Sequence, residues 1–173
     1  MKQQTKAQIA ASLRDFRLPR YTEIPNVGLY LEQATKYISE YLSPLGEYTL
    51  TPSMISNYVK KGLIANPVKK QYSREHIAYL FFIAMAKSVL SLDALTGFIK
   101  VQQRTYPLPK AYDYFVEEFE NLLQFTFELK DAMETVGDDN TDEKRLLYTC
   151  IVAAVQKVYL EKCLEAIAQE DEN

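Results

Sequence analysis

Along this chain apolar residues recur mainly at three- and four-residue spacing, with Pro and Gly marking the breaks, so the pattern predicts helices and little strand. A first helix is expected after Thr5, with Ile9, Leu13 and Phe16 on one face. Pro19 and Pro25 frame a connector. A second helix is expected from about Leu29 to Ser43, with Leu31, Ala34, Ile38, Tyr41 and Leu42 inward and Pro44 and Gly46 as its stop. A short third helix follows at Pro52–Lys61, and a fourth at Ser73–Ser88 buries Ile77, Leu80, Phe81, Ala84 and Met85. A fifth begins near Leu92 and ends before Pro107 and Pro109.

The last third reads as two long antiparallel helices. From Tyr112, the positions Phe115, Phe119, Leu122, Thr126, Leu129, Met133 and Val136 form a seven-residue apolar repeat, the seam of a helix packed lengthwise on another. Gly137, Asp138, Asp139 and Asn140 are expected to make the turn. The final helix has two apolar stripes: Leu146, Cys150, Ala153, Leu160, Leu164 and Ile167, and beside them Leu147, Ile151, Val155 and Val158. One stripe closes the hairpin; the other is left for the N-terminal part or for a second chain.

Composition removes several classes. The 173 residues are 47% hydrophobic and 25% charged, which is globular. The longest apolar run, Ala78 to Ala86, is about half of the roughly 20 residues a bilayer span needs, and residues 1–20 lack the apolar core of a signal peptide. Cys150 and Cys163 on one helix would stand about 20 Å apart, too far for a disulfide, which suits a reducing cytosol. There is one histidine, His76, expected in a solvated or locally bonded role. The five glycines are scattered, so no phosphate-cradling loop can be drawn, and no zinc spacing or nucleophile elbow occurs. Glu117, Glu118 and Glu120 read as a solvated face, and no enzyme, cofactor, metal or identifiable small-molecule effector is expected. A pocket converging on Glu and Tyr side chains would reopen the enzymatic reading.

Charge changes the picture most. The formal net charge of −3 conceals a gradient: residues 48–74 carry five basic groups and no acid, while residues 113–173 carry a net −11. Within the basic stretch, Thr51 is suited to cap a helix, Pro52 to open it and Gly62 to stop it. Ile55, Val59 and Pro52 point one way, with Tyr58 at the edge. Ser53, Ser56, Asn57, Lys60 and Lys61 occupy the other side, a polar and cationic face without a carboxylate. Short donors to base edges and lysines to phosphates are what a DNA-reading helix needs. The bland alternative is a surface helix that lacks acids. The aromatic run Tyr79, Phe81, Phe82 reads as core, since single-strand binders interleave rings with cations.

The order of this helix, "Tyr58-Val-Lys-Lys-Gly62-Leu63-Ile64", Pro67, the loop with Lys69 and Lys70, "Tyr72-Ser73-Arg-Glu-His-Ile77" and "Ser91-Leu92-Asp93-Ala-Leu95" resembles the MerR-type winged helix-turn-helix over about residues 29–104. It is similar, too, to a bacterial family of short proteins labelled as a domain of unknown function and described as MerR-like. Ser56 and Asn57 stand where the MerR pattern has an Arg and the first of two Tyr, and the wing is shorter and lacks the usual Tyr-Arg pair. The resemblance implies that Ser53, Ser56, Asn57 and Lys60 face the major groove. It implies that Lys61, Lys69, Lys70 and Arg74 contact the backbone, that Tyr58 does either, and that Tyr72 packs under the wing.

The expected protein is therefore all-α. It has an N-terminal helix and connector (1–28), a helix-turn-helix with a short basic wing (29–104) and an acidic antiparallel helical hairpin (105–173). The function expected is a cytoplasmic transcriptional regulator, its helix 52–61 and wing 65–72 docking on double-stranded DNA. A homodimer through the C-terminal helices goes with it. The alternative is a protein–protein interaction module that keeps the fold without DNA binding.

Overall fold

The computed structural model describes residues 1–171. It is mostly helical: α1 (Gln3–Leu13), α2 (Leu31–Leu42), α3 (Pro52–Lys60), α4 (Arg74–Ala86), α5 (Leu92–Thr105), α6 (Leu108–Thr126) and α7 (Asp142–Asp171). Two short strands, β1 (Leu29–Tyr30) and β2 (Gln71–Tyr72), pair antiparallel with Leu29 opposite Tyr72 and Tyr30 opposite Gln71. The second to fifth helices fall where the periodicity puts them, shifted by up to two residues at their ends, whereas α1 starts three residues before its expected start and ends at Leu13, leaving the buried Phe16 in the connector.

A single core joins all parts of the chain, from Leu13 and Leu18 through Ile38, Ile55 and Phe81 to Phe119 and Val158. Phe81 is its centre: Tyr37, Tyr41 and Tyr112 each set a ring against it at centroid distances of 6.0, 5.8 and 6.4 Å. All five residues expected inward on α4 are buried. The connector is fastened to α6 by Glu120, whose carboxylate accepts from Leu18 N–H (2.8 Å) and from both terminal nitrogens of Arg20 (3.1 and 2.9 Å). Tyr112 donates to the Pro19 carbonyl at 3.0 Å, and Asp113 accepts from Tyr21 N–H at 2.7 Å.

The C-terminal third departs from the expected antiparallel hairpin. α6 stops at Thr126, not near Val136. Glu128 takes a left-handed conformation (φ 56°), its N–H donates to the Phe125 carbonyl, and Leu129 N–H reaches back to Gln124 O at 2.8 Å. These are the two reversed bonds of a Schellman stop, made here without glycine. Residues 127–141 then run back along α6. Asn121, buried on α6, takes the place of a backbone partner for this segment: its Nδ2 donates to Glu134 O at 2.8 Å and its Oδ1 accepts from Glu134 N–H. Tyr106 fixes the far end, its hydroxyl bonded to Asp139 and to Thr141 Oγ1.

α7 therefore begins beside the start of α6 and runs parallel to it. Lys144 lies over Tyr114, and Phe127 meets Tyr159, so both contact positions advance together along the two helices. Ile151, Val155 and Val158 are buried on α7, while Leu146, Leu160, Leu164 and Ile167 stay exposed. Glu118, expected on a solvated face, is buried instead, and desolvation pushes its carboxyl pKa up. Both cysteines are free. No helix among the described residues is long and apolar enough to cross a membrane.

Candidate nucleic-acid interface

α3 begins and ends on local chemistry. Thr51 Oγ1 accepts from Met54 N–H at 3.2 Å, Pro52 fills the first turn, and Gly62 (φ 71°) closes the helix with bonds from Gly62 N–H to Val59 O and from Leu63 N–H to Tyr58 O, both 2.9 Å. Ile55 and Tyr58 bury one side against the core. Ser53, Ser56, Asn57, Lys60 and Lys61 are exposed on the other.

The basic loop after α3 is a tight hairpin. Gln71 N–H donates to Val68 O at 2.9 Å, the two residues bridge, and Lys69 and Lys70 between them have φ of 50° and 64°. Positive φ at both central residues defines a type I′ turn, which favours Asn-Gly and penalises side chains. Two lysines occupy it. β2 leaves the turn to pair with β1, and Tyr72 packs beneath it, as expected, against the edge of His76 at 5.5 Å.

His76 holds this hairpin to α4. Its Nδ1 lies 3.0 Å from Ser73 N–H, which can only donate, and its Nε2 lies 3.1 Å from Ala65 O, which can only accept. The partners therefore assign a neutral ring protonated at Nε2. One bond caps α4 and the other ties down the residue where the basic loop begins. The sequence offered the local role of His76 but not its partner, because Ala65 is distant in the chain and contributes only backbone.

Two of the expected contact residues are placed elsewhere. Tyr58 is buried, 5% exposed, and desolvation raises its phenol pKa, so its ring supports α3 from inside instead of reading DNA. Arg74 donates through Nε to Ile24 O at 2.8 Å and through Nη2 to Thr22 O at 3.3 Å, with its guanidinium 5.6 Å from the Tyr21 ring centre. Two of its donors are bound to the connector because the 20–24 turn folds over the start of α4. In contrast, the side chains of Lys60, Lys61, Lys69 and Lys70 are exposed, and among the described residues none of the four forms a hydrogen bond or ion pair. Tyr30, opposite Gln71 in the ribbon, and Val68 beside the lysines are 54% and 72% exposed. The sequence did not single these two out, since an exposed aromatic or valine has no signature until its strand partner is known.

Fold and surface define a mainly α-helical protein in which a short amphipathic helix and a lysine-tipped hairpin are both built onto a common core. The chain belongs to the family described as a domain of unknown function, DUF1836, which residues 19–115 match, more than half of its length. That stretch begins at the connector and ends in α6, the two segments joined by Tyr112 to Pro19 and Asp113 to Tyr21. Nothing matches the chain among curated proteins or among solved structures.

Proposed function

We propose that this protein is a DNA-binding transcriptional regulator in which α2, α3 and the 68–71 hairpin act as a MerR-type winged helix-turn-helix. Ser53, Ser56, Asn57 and Lys60 read the major groove; Lys61, Lys69 and Lys70 contact phosphates. The observation that carries the reading is the hairpin tip. Two adjacent lysines hold left-handed backbone, at a cost of roughly 1–2 kcal/mol each, where Asn-Gly would relieve it. Strain of this kind at an exposed, unpaired cationic tip is explained by a polyanionic partner. The net −11 of residues 113–173 repels DNA on that side and leaves one docking face.

The exposed apolar residues Leu160, Leu164 and Ile167 of α7 support pairing of two chains through this helix. Two-fold pairing would set the recognition helices about 34 Å apart on a palindrome. With about four to eight phosphates neutralised per dimer, log affinity falls against log salt with a slope of about −4 to −7. The test is a gel-shift series over genomic fragments, comparing the parent protein with the variant in which Lys60, Lys61, Lys69 and Lys70 are all alanine. The reading predicts a retarded band that the variant loses at the same salt. It is overturned by equal retardation of both proteins, or by no retardation of any fragment at low salt. An interaction module without DNA affinity, using the α7 stripe alone, predicts that last outcome.

A further inference from the structure

The aromatic run of α4, expected as closed core, divides in the structure. Phe81 is fully buried, but Tyr79 and Phe82 are only partly so, because they face a cavity of about 400 Å³ between α4, α5, α6 and the start of α7. Five more rings line its walls: Phe98 from α5, Tyr106 between the helices, and Tyr112, Tyr114 and Phe115 from α6. Phe82 packs against Phe98 at 5.3 Å and edge-on to Phe115 at 5.5 Å, so the rings brace one another around the space. Lys110 and Lys144 sit 5.0 and 5.2 Å over Tyr106 and Tyr114, and hold those two rings from the rim.

The polar groups are few and, Lys110 and Lys144 apart, mostly acceptors. Gln102 donates its amide to Tyr106 O at 2.8 Å and accepts from the Tyr79 hydroxyl at 2.9 Å, and the Tyr79 oxygen in turn accepts from Gln103 Nε2 at 3.4 Å, which leaves acceptor capacity at Gln102 Oε1. Glu117 and Glu143 also line the cavity and have no ion-pair partner among the described residues. Lys144 is already held by the Gly137 and Asp139 carbonyls. An apolar, aromatic cavity of this size with a few convergent polar groups has the form of a small-molecule site.

We propose that this cavity binds a planar aromatic molecule of two or three rings that carries a hydrogen-bond donor and no negative charge. The rings supply stacking and edge contacts, Gln102 Oε1 accepts from the donor, and Glu117 and Glu143 disfavour anions. The site does not depend on DNA binding.

The probe is N-phenyl-1-naphthylamine, which has an N–H donor and brightens in apolar surroundings, titrated into the full-length protein. Saturable binding of one probe per chain is expected, at least tenfold tighter than that of the sulfonated analogue 8-anilino-1-naphthalenesulfonate. Ala111→Phe, which fills the cavity from α6, is expected to weaken binding at least tenfold with an unchanged circular dichroism spectrum. Val136→Trp fills the same space from the 127–141 segment without altering a helix, and gives the same result if Ala111→Phe does not fold. The proposal fails if the parent protein shows no saturable binding, if a folded filling variant binds as well as the parent, or if the sulfonated probe binds equally well.

Discussion

Replacing Lys69 and Lys70 by Asn and Gly separates what the hairpin does for the fold from what it does for a partner. Both residues hold positive φ, 50° and 64°, in a type I′ turn for which Asn-Gly is the preferred pair. Left-handed backbone costs an ordinary side chain roughly 1–2 kcal/mol, most of which glycine avoids and asparagine partly avoids. Against this, glycine's extra freedom in the unfolded chain returns about 0.5–1 kcal/mol. The double substitution should therefore stabilise the protein by about 1 kcal/mol. For a chain of this length that raises Tm by about 2–4 °C in a thermal melt. The same change removes two unpaired cations. In counterion-release terms the salt slope of DNA binding should shrink by about 1.8 per bound protomer, and affinity at 0.1 M salt should fall on the order of 60-fold. The two results move in opposite directions and are measured separately, by calorimetry and by fluorescence anisotropy. A lower or unchanged Tm would refute the strain argument; a higher Tm with undiminished DNA affinity would refute the docking role of the turn.

Two further outcomes follow from packing and charge. In Gly28→Ala the new Cβ would lie 2.6 Å from Gln71 Cβ, so the β1–β2 ribbon has to separate; Tm should fall by an amount equivalent to about 1–3 kcal/mol, and an unchanged melt would show that the ribbon contributes nothing to stability. Glu118 has a folded-state pKa raised by burial, so its favourable contribution exists below the ordinary carboxylate range and is lost as pH rises through the raised value. Glu118→Gln should accordingly raise Tm at pH 7 and lose that advantage towards pH 4, and an equal gain at both pH values would contradict a titrating origin.

How far the sequence could be read depended on whether the governing interaction is local. The α3 unit was legible throughout, because Thr51, Pro52 and Gly62 act on backbone within a few residues and the apolar face repeats at helical spacing. The exposed face with Lys60 and Lys61 was legible for the same reason. Tyr58 and Arg74 were not. A tyrosine at the edge of an amphipathic helix faces inward or outward according to what packs on it, and Arg74 found its acceptors at Thr22 and Ile24, some fifty residues earlier. The aromatic run of α4 reads as core as a whole, though only Phe81 lies on the inward set; the placement of α5 and α6 decided that Phe81 is sealed and Tyr79 and Phe82 line a cavity.

The C-terminal third shows where periodicity ends as a guide. The seven-residue repeat through Leu129, Met133 and Val136 is real in the sequence, yet the helix stops at Thr126 on a left-handed glutamate that no composition rule marks. Leu129 and Met133 still pack partly against the core, from an irregular segment that Asn121 and Tyr106 secure with hydrogen bonds. By itself the sequence determined the helical class, the boundaries of the second to fifth helices to within two residues and the polarity of charge, all consequences of spacing and composition. Tertiary structure decided the direction of α7, the burial of Glu118 and the cavity, because each depends on residues brought together across the chain, and side-chain hydrogen bonds there outweigh the local preference to extend a helix.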